Sequence, residues 1–172
     1  MNNKLMFSSV SAEWETPQAL FDVLNSVCAF ETDVCATDDN AKCRVYYTAE
    51  NDGLSKEWCG SCWMNPPYGR VISHWMKKAY LESRKPGVSV VCLVPARTDT
   101  AWWHNYALCG KVLFFRGRLK FVNRAFPSWR ADGDFKVSSA PFPSALVIYG
   151  GNMNEIWSRL QQQLTAAGMP CA

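Results

Sequence analysis

The stretch Cys62-Trp63-Met64-Asn65-Pro66-Pro67-Tyr68-Gly69 decides how this chain is read. Its apolar start runs straight into two prolines, which have no amide hydrogen to give a sheet, so a strand must end at Asn65. Just beyond, Val71, Ile72, Trp75, Met76, Ala79 and Tyr80 recur at helical spacing until Pro86-Gly87 stops them. Val88 to Val94 is then a nearly unbroken apolar, β-branched run ending at Pro95. Such a run is expected of a strand covered on both faces, and hence of a parallel sheet.

Working outward, Thr16-Pro17 predicts a helix start, with Thr16 as N-cap and Pro17 at the first helical position. Leu20, Phe21, Leu24 and Val27 continue that helix, and strands are expected over Ala29 to Val34 and Arg44 to Thr48. On the far side the pattern predicts a helix over Thr98 to Leu108 closed by Gly110, and strands over Lys111 to Phe115 and Ala145 to Tyr149. A long loop is expected between Val122 and Pro143, and a last helix through Ile156, Trp157, Leu160 and Leu164, with Gly168 past its end. Alternating strands and helices define an α/β chain with a doubly wound sheet. Asp33, Asn65 and Pro95 then fall at strand ends along one rim, where such sheets bind ligands.

The 172 residues suit one domain, and a composition 48% hydrophobic and 13% aromatic is ample for a core. The net charge of +3 announces no partner by itself. No run of about 18 apolar residues suggests a membrane span, and no leader pattern opens the chain, so a cytoplasmic protein is expected. Of the eight cysteines, Cys28, Cys35, Cys92 and Cys109 lie in or beside apolar runs and read as buried thiols. Cys59 and Cys62 have the spacing of half a zinc site, but no second close pair completes it, so no metal is expected.

The residues at 65–68 suit chemistry on an exocyclic amine. The Asn65 side-chain oxygen can accept one N–H and the Pro66 carbonyl the other, aiming the nitrogen lone pair and stabilising the charge that develops. Pro66 and Pro67 stiffen the turn, and Tyr68 offers a face for a purine. A plain Asn-Pro turn after a strand is the alternative. A basic run follows: Arg116, Arg118, Lys120, Arg124, Arg130 and Lys136 are interleaved with Phe121, Phe126, Trp129 and Phe135. Cations there would neutralise phosphates, while Phe126 and Trp129 would wedge into a duplex or pack in the core. Arg70 and Arg97, at two strand ends, are further phosphate candidates, and a merely solvated charged face is the competing reading.

Taken in order, these segments resemble the phage-type DNA N6-adenine methyltransferases, the Dam family, over most of the chain. The resemblance rests on Glu13-Trp14-Glu15-Thr16-Pro17, Asp33-Val34-Cys35-Ala36-Thr37, Asn40-Ala41-Lys42-Cys43, Asp52-Gly53-Leu54 with Trp58, and Trp63 to Arg70. It continues through Pro95 to Thr100, Gly117 to Phe121 and Ala140 to Ser144. It implies a single class I, Rossmann-like methyltransferase domain over residues 1–172, mostly parallel with an antiparallel last strand, and a DNA-recognition insertion around residues 116–143. It further implies S-adenosylmethionine as cofactor, held by Trp14, Thr16, Pro17, Asp33, Cys35, Ala36, Asp52 and Asn65. Asn65, Pro66, Pro67 and Tyr68 would be catalytic, and Arg70, Arg97, Arg116, Arg118, Lys120, Arg124, Phe126, Trp129 and Arg130 would bind double-stranded DNA. The implied reaction is methyl transfer to adenine N6 after base flipping, with GATC as the expected site, in the host cytoplasm if phage-encoded and with no obligate protein partner. One departure stands out: no glycine lies between Phe30 and Gly53, where most methyltransferases carry a glycine-rich loop. Turn roles for Asp33 and Asp52 are alternatives, as are methylation of RNA adenine or protein glutamine, or a non-catalytic DNA-binding module.

Overall fold

The computed structural model describes residues 14–127 and 135–172, with side chains at 14–122 and 139–172. Helix α1 (Gln18–Cys28) leads into β1 (Thr32–Asp33), β2 (Val45–Tyr46) and β3 (Ser61–Met64). Helix α2 (Ile72–Glu82), β4 (Ser89–Pro95) and a short α3 (Ala101–Asn105) follow, then β5 (Lys111–Phe114), β6 (Lys120–Pro127) and β7 (Phe135–Ser139). The described chain closes with β8 (Ser144–Tyr149) and α4 (Met153–Ala166).

Six strands form one sheet in the order β2-β1-β3-β4-β8-β5. Strands β2, β1, β3 and β4 are parallel, and β8 runs antiparallel between β4 and β5. The expected α/β sheet with an antiparallel last strand is therefore present. Val90 to Val94 and Ala145 to Ile148 are all 0–1% exposed, which explains their continuous apolar sequence. Helix α1 packs on α4 and α2 on α3, and Leu20, Phe21 and Leu24 bury the inner stripe of α1. No helix among the described residues is long and apolar enough to cross a membrane.

Several local expectations are corrected. Helix α1 begins one residue late, with Pro17 at the N-cap and no side-chain cap, because the Thr16 hydroxyl is used elsewhere. Strand β1 is short because Ala29 takes a left-handed conformation (φ 47°) and the Asn25 side chain holds the Phe30 amide. The helix expected over Thr98 to Leu108 breaks at Tyr106, whose carbonyl accepts the Tyr149 hydroxyl at 2.8 Å, leaving α3 and a 3-10 turn at Ala107–Cys109. Within the expected loop from Val122 to Pro143 the described residues form the antiparallel ribbon β6–β7, a separate two-stranded sheet. Cys109 is exposed and Cys28 only half-buried, against the expectation of buried thiols.

The Asp52-Gly53 turn also acquires a physical reason. A side chain on Gly53 would overlap the Val34 carbonyl at the end of β1, so only glycine lets the turn press there. Asp52, with φ 49°, accepts the Leu54 amide at 3.2 Å and shapes that turn.

Candidate active site

Asn65 follows the last residue of β3 and is held by three side-chain hydrogen bonds. Its Nδ2 donates to the Trp14 carbonyl at 2.9 Å and to Thr16 Oγ1 at 3.0 Å. A carbonyl can only accept, so the amide orientation is determined and Oδ1 must point the other way. There it accepts the Tyr68 hydroxyl at 3.1 Å. Oδ1 has a second lone pair to offer, and among the described residues nothing donates to the Pro66 carbonyl. Pro66 and Pro67 are buried, so the turn cannot swing away without exposing apolar surface. Tyr68 is also buried, its ring edge-on to Phe142 at 5.3 Å, and burial pushes its hydroxyl well above the ordinary tyrosine range. The hydroxyl is thus a fixed neutral donor that orients Asn65, a role its sequence position does not reveal.

On one side of Asn65 lies a narrow cleft lined by Glu15, Thr16, Asp33, Cys35, Asn40, Lys42 and Trp63. Asp33 is 2% exposed, and its carboxylate accepts the Cys35 amide at 3.3 Å and the Lys42 amide at 3.0 Å. Burial raises its carboxyl to about 7, although both amides and the Lys42 charge pull the other way. The Lys42 ammonium lies 3.5 Å from Glu15 and 3.1 Å from the Gln18 side-chain oxygen. Sequence reasoning gives Glu15 and Lys42 no individual role, since both appear only within segments of the resemblance. Ala36 stands beside the cleft with its amide bound to the Tyr47 carbonyl.

The Asn65 partners Trp14 and Tyr68 line a second, separate cavity of about 630 Å³ together with Ile72, Arg97, Asp99 and Phe142, among others. Trp14 packs edge-on against Phe121 (5.7 Å) and Phe142 (5.2 Å), and Glu15 pairs by backbone with Val122 of β6. The root of the β6–β7 ribbon is therefore built into the wall of the site.

The structure brings together Trp14, Thr16, Asp33, Cys35, Asn65 and Tyr68, but not every expected residue. Asp52 lies in its turn and does not line the cleft, and Pro17 faces a different groove. That groove, about 350 Å³, gathers Arg116, Arg118 and Lys120 with Ala19 and Met169. Arg97 lines the large cavity, and Arg70 is exposed just after the Tyr68 turn. Trp129 and Arg130 lie outside the described residues, and Arg124 and Phe126 are described only as backbone of β6. Among the described residues no group of three His, Cys, Asp or Glu side chains could hold a metal.

A mostly parallel sheet with an Asn-Pro-Pro-Tyr turn at its C-terminal rim defines a Rossmann-like methyltransferase fold. The chain belongs to the DNA N-6-adenine-methyltransferase (Dam) family, whose model matches residues 5–154. It is 29% identical over 115 residues to the DNA N-6-adenine-methyltransferase of Haemophilus phage HP1 (strain HP1c1), covering 64% of this chain and 66% of that one. The match thus spans just under two thirds of the phage protein. It is also 37% identical over 67 residues to YfdM of Escherichia coli (strain K12), which carries a provisional methyltransferase name, covering 34% of this chain and 74% of that one.

Proposed function

We propose that this protein transfers a methyl group from S-adenosylmethionine to N6 of adenine in double-stranded DNA, with GATC as the target site. The observation that carries the reading is the position of Asn65. It lines the Asp33 cleft, while its hydrogen-bond partners Trp14 and Tyr68 line the large cavity. A residue that must hold an amine in line with a methyl donor belongs between a donor pocket and a target pocket.

The donor reading of this side rests on its chemistry: the cleft gathers the Asp33 and Glu15 carboxylates, the Lys42 ammonium and the small Cys35 side chain, and at about 10 Å³ it must widen to admit a donor. When bound there, S-adenosylmethionine supplies an electrophilic methyl group. Asn65 Oδ1 accepts one adenine N6–H with its remaining lone pair, and the Pro66 carbonyl accepts the other. Both acceptors are fixed beforehand, so they stabilise the positive charge that grows on N6 during attack without first reorganising. The proton then leaves to water, which needs no histidine or metal. The flipped adenine occupies the cavity beside Tyr68, with Arg97 toward its phosphate. Pro67 shapes the turn, while Thr16, Asp33, Cys35 and Ala36 form or flank the donor side, Trp14 lies on the target side, and Pro17 faces the groove of Arg116 and Lys120.

Within a single domain, the insertion around residues 116–143 reads the duplex, its cations pairing with phosphates. A cytoplasmic location without an obligate protein partner fits that role. The test is methyl incorporation from labelled donor into duplexes containing GATC, permuted duplexes, and RNA of the same sequence. Incorporation confined to the GATC duplex is expected. Equal incorporation into permuted duplexes removes the site assignment, and labelling of RNA alone removes the DNA assignment.

A further inference from the structure

We propose that residues 168–172 form part of a groove that carries one sugar–phosphate strand of the DNA past the active site, together with Arg116, Arg118 and Lys120. The inference rests on the DNA reading above and gives a role to a segment that lies beyond the family match at residues 5–154.

Local chemistry places the segment. Helix α4 ends in a Schellman turn, in which the Met169 amide donates to the Leu164 carbonyl at 2.8 Å and the Gly168 amide to that of Thr165 at 3.1 Å. Gly168 has φ 75°, which glycine adopts without strain, so the chain can reverse there. It then runs antiparallel to β5, the edge strand of the sheet. The Arg116 amide donates to the Pro170 carbonyl at 2.9 Å, and the main chains of Phe114 and Ala172 exchange bonds of 2.6 and 3.0 Å. Residues 170–172 thus cover a strand edge and fix the backbone of Arg116 at the start of the basic run.

Composition, position and continuity point to a DNA strand as the occupant. The groove, about 350 Å³, sets the apolar Leu119, Met169 and Pro170 beside Arg116, Arg118 and Lys120, whose side chains are exposed. Among its described lining residues there is no acidic side chain. Apolar surface beside exposed cations complements a chain of alternating deoxyriboses and phosphates. Strand β3 is parallel to β4, and β8 is antiparallel to both β4 and β5, so β5 runs in the direction of β3. Arg116 therefore follows β5 at the same rim of the sheet where Asn65 follows β3. The groove also begins next to the catalytic turn, because Pro17 lines it directly after Thr16, the residue that holds Asn65.

A segment that merely covers β5 would respond to any substitution alike, whereas a strand-binding wall responds to the sign of the charge. The experiment places opposite charges at the exposed Pro170 and titrates affinity for a duplex against salt. Pro170→Lys should tighten binding by about 3- to 10-fold at low salt and steepen the slope of log affinity against log salt by about 0.9, and Pro170→Glu should do the reverse. Pro170→Gln should match wild type. The control is Leu81, 49% exposed near the end of α2 and so at the opposite rim, where Leu81→Lys and Leu81→Glu should leave the slope unchanged. If Pro170→Glu does not fold, Pro170→Lys against Pro170→Gln is judged by the same slope. Equal shifts for all the Pro170 variants, no shift for any, or the same shifts from Leu81 overturn the groove. A wild type that binds no duplex overturns the DNA reading itself, a different and distinguishable failure.

Discussion

Around Asn65, polar groups are buried and paired: Nδ2 with Trp14 and Thr16, Oδ1 with the Tyr68 hydroxyl. Around the root of the β6–β7 ribbon the opposite holds. The side chains of Arg116, Arg118 and Lys120 are exposed, and none has a side-chain partner among the described residues. The first region stores its specificity in fixed geometry, because a misplaced acceptor contributes nothing to a transition state. The second keeps its cations hydrated, where they cost little until a polyanion displaces their counterions. Substitutions in the two regions should therefore fail in different ways.

The largest effect is expected from Asn65→Ala. Losing a preorganised acceptor should lower single-turnover methyl transfer on the order of 10²-fold or more, with DNA and donor affinities nearly unchanged. A variant retaining half the wild-type rate would reduce Asn65 to a turn residue and erase the contrast. Next, the triple change Arg116→Ala, Arg118→Ala and Lys120→Ala should weaken DNA binding and flatten its salt dependence. The slope of log affinity against log salt should fall by about 0.9 for each phosphate that is no longer neutralised, while donor binding stays constant. An unchanged slope would move the DNA face to Arg70 and Arg97, on the cavity side.

A smaller effect sharpens the inner region. Tyr68→Phe keeps the ring but removes the hydroxyl that holds Asn65, so transfer should slow by about 2- to 10-fold, as for one neutral hydrogen bond. Tyr68→Ala should cost more, because it also opens the packing against Phe142. Equal rates for Tyr68→Phe and wild type would show that the hydroxyl does not position Asn65.

The last effect concerns pH. Asp33 is raised by burial to about 7, so the folded protein holds this proton more tightly than the unfolded chain. Stability from this group is fully present below its unfolded value near 4 and is lost as pH rises through about 7. Relative to Asp33→Asn, wild-type stability should therefore decline over that window, by no more than a few kcal/mol. A flat difference between the two unfolding curves would mean that Asp33 is already ionised when folded.

The inner region is largely legible in the sequence, for physical reasons. Two prolines after an apolar strand leave few backbone options, and the β4 run has one comfortable place, in a covered sheet. What stays hidden depends on partners far along the chain. The Thr16 hydroxyl, an apparent helix cap, serves Asn65 across 49 residues, and the expected third helix breaks at Tyr106, whose carbonyl accepts the Tyr149 hydroxyl as well as the Cys109 amide. Lys42 is visible in the sequence only within the segment Asn40 to Cys43, and its contacts with Asp33, Glu15 and Gln18 emerge only in the fold. The ribbon reads as a loop because Lys120-Phe121-Val122 offers too short an alternation to declare a strand before its pairing with β7 is seen.

The most direct test of the account is the identity of the methylated atom. Duplex DNA free of methyl groups is incubated with the protein and labelled S-adenosylmethionine, digested to nucleosides and separated. The account predicts label in N6-methyldeoxyadenosine for wild type and almost none for Asn65→Ala. Label in a methylated cytosine, or equal N6-methyladenine from both proteins, would contradict it.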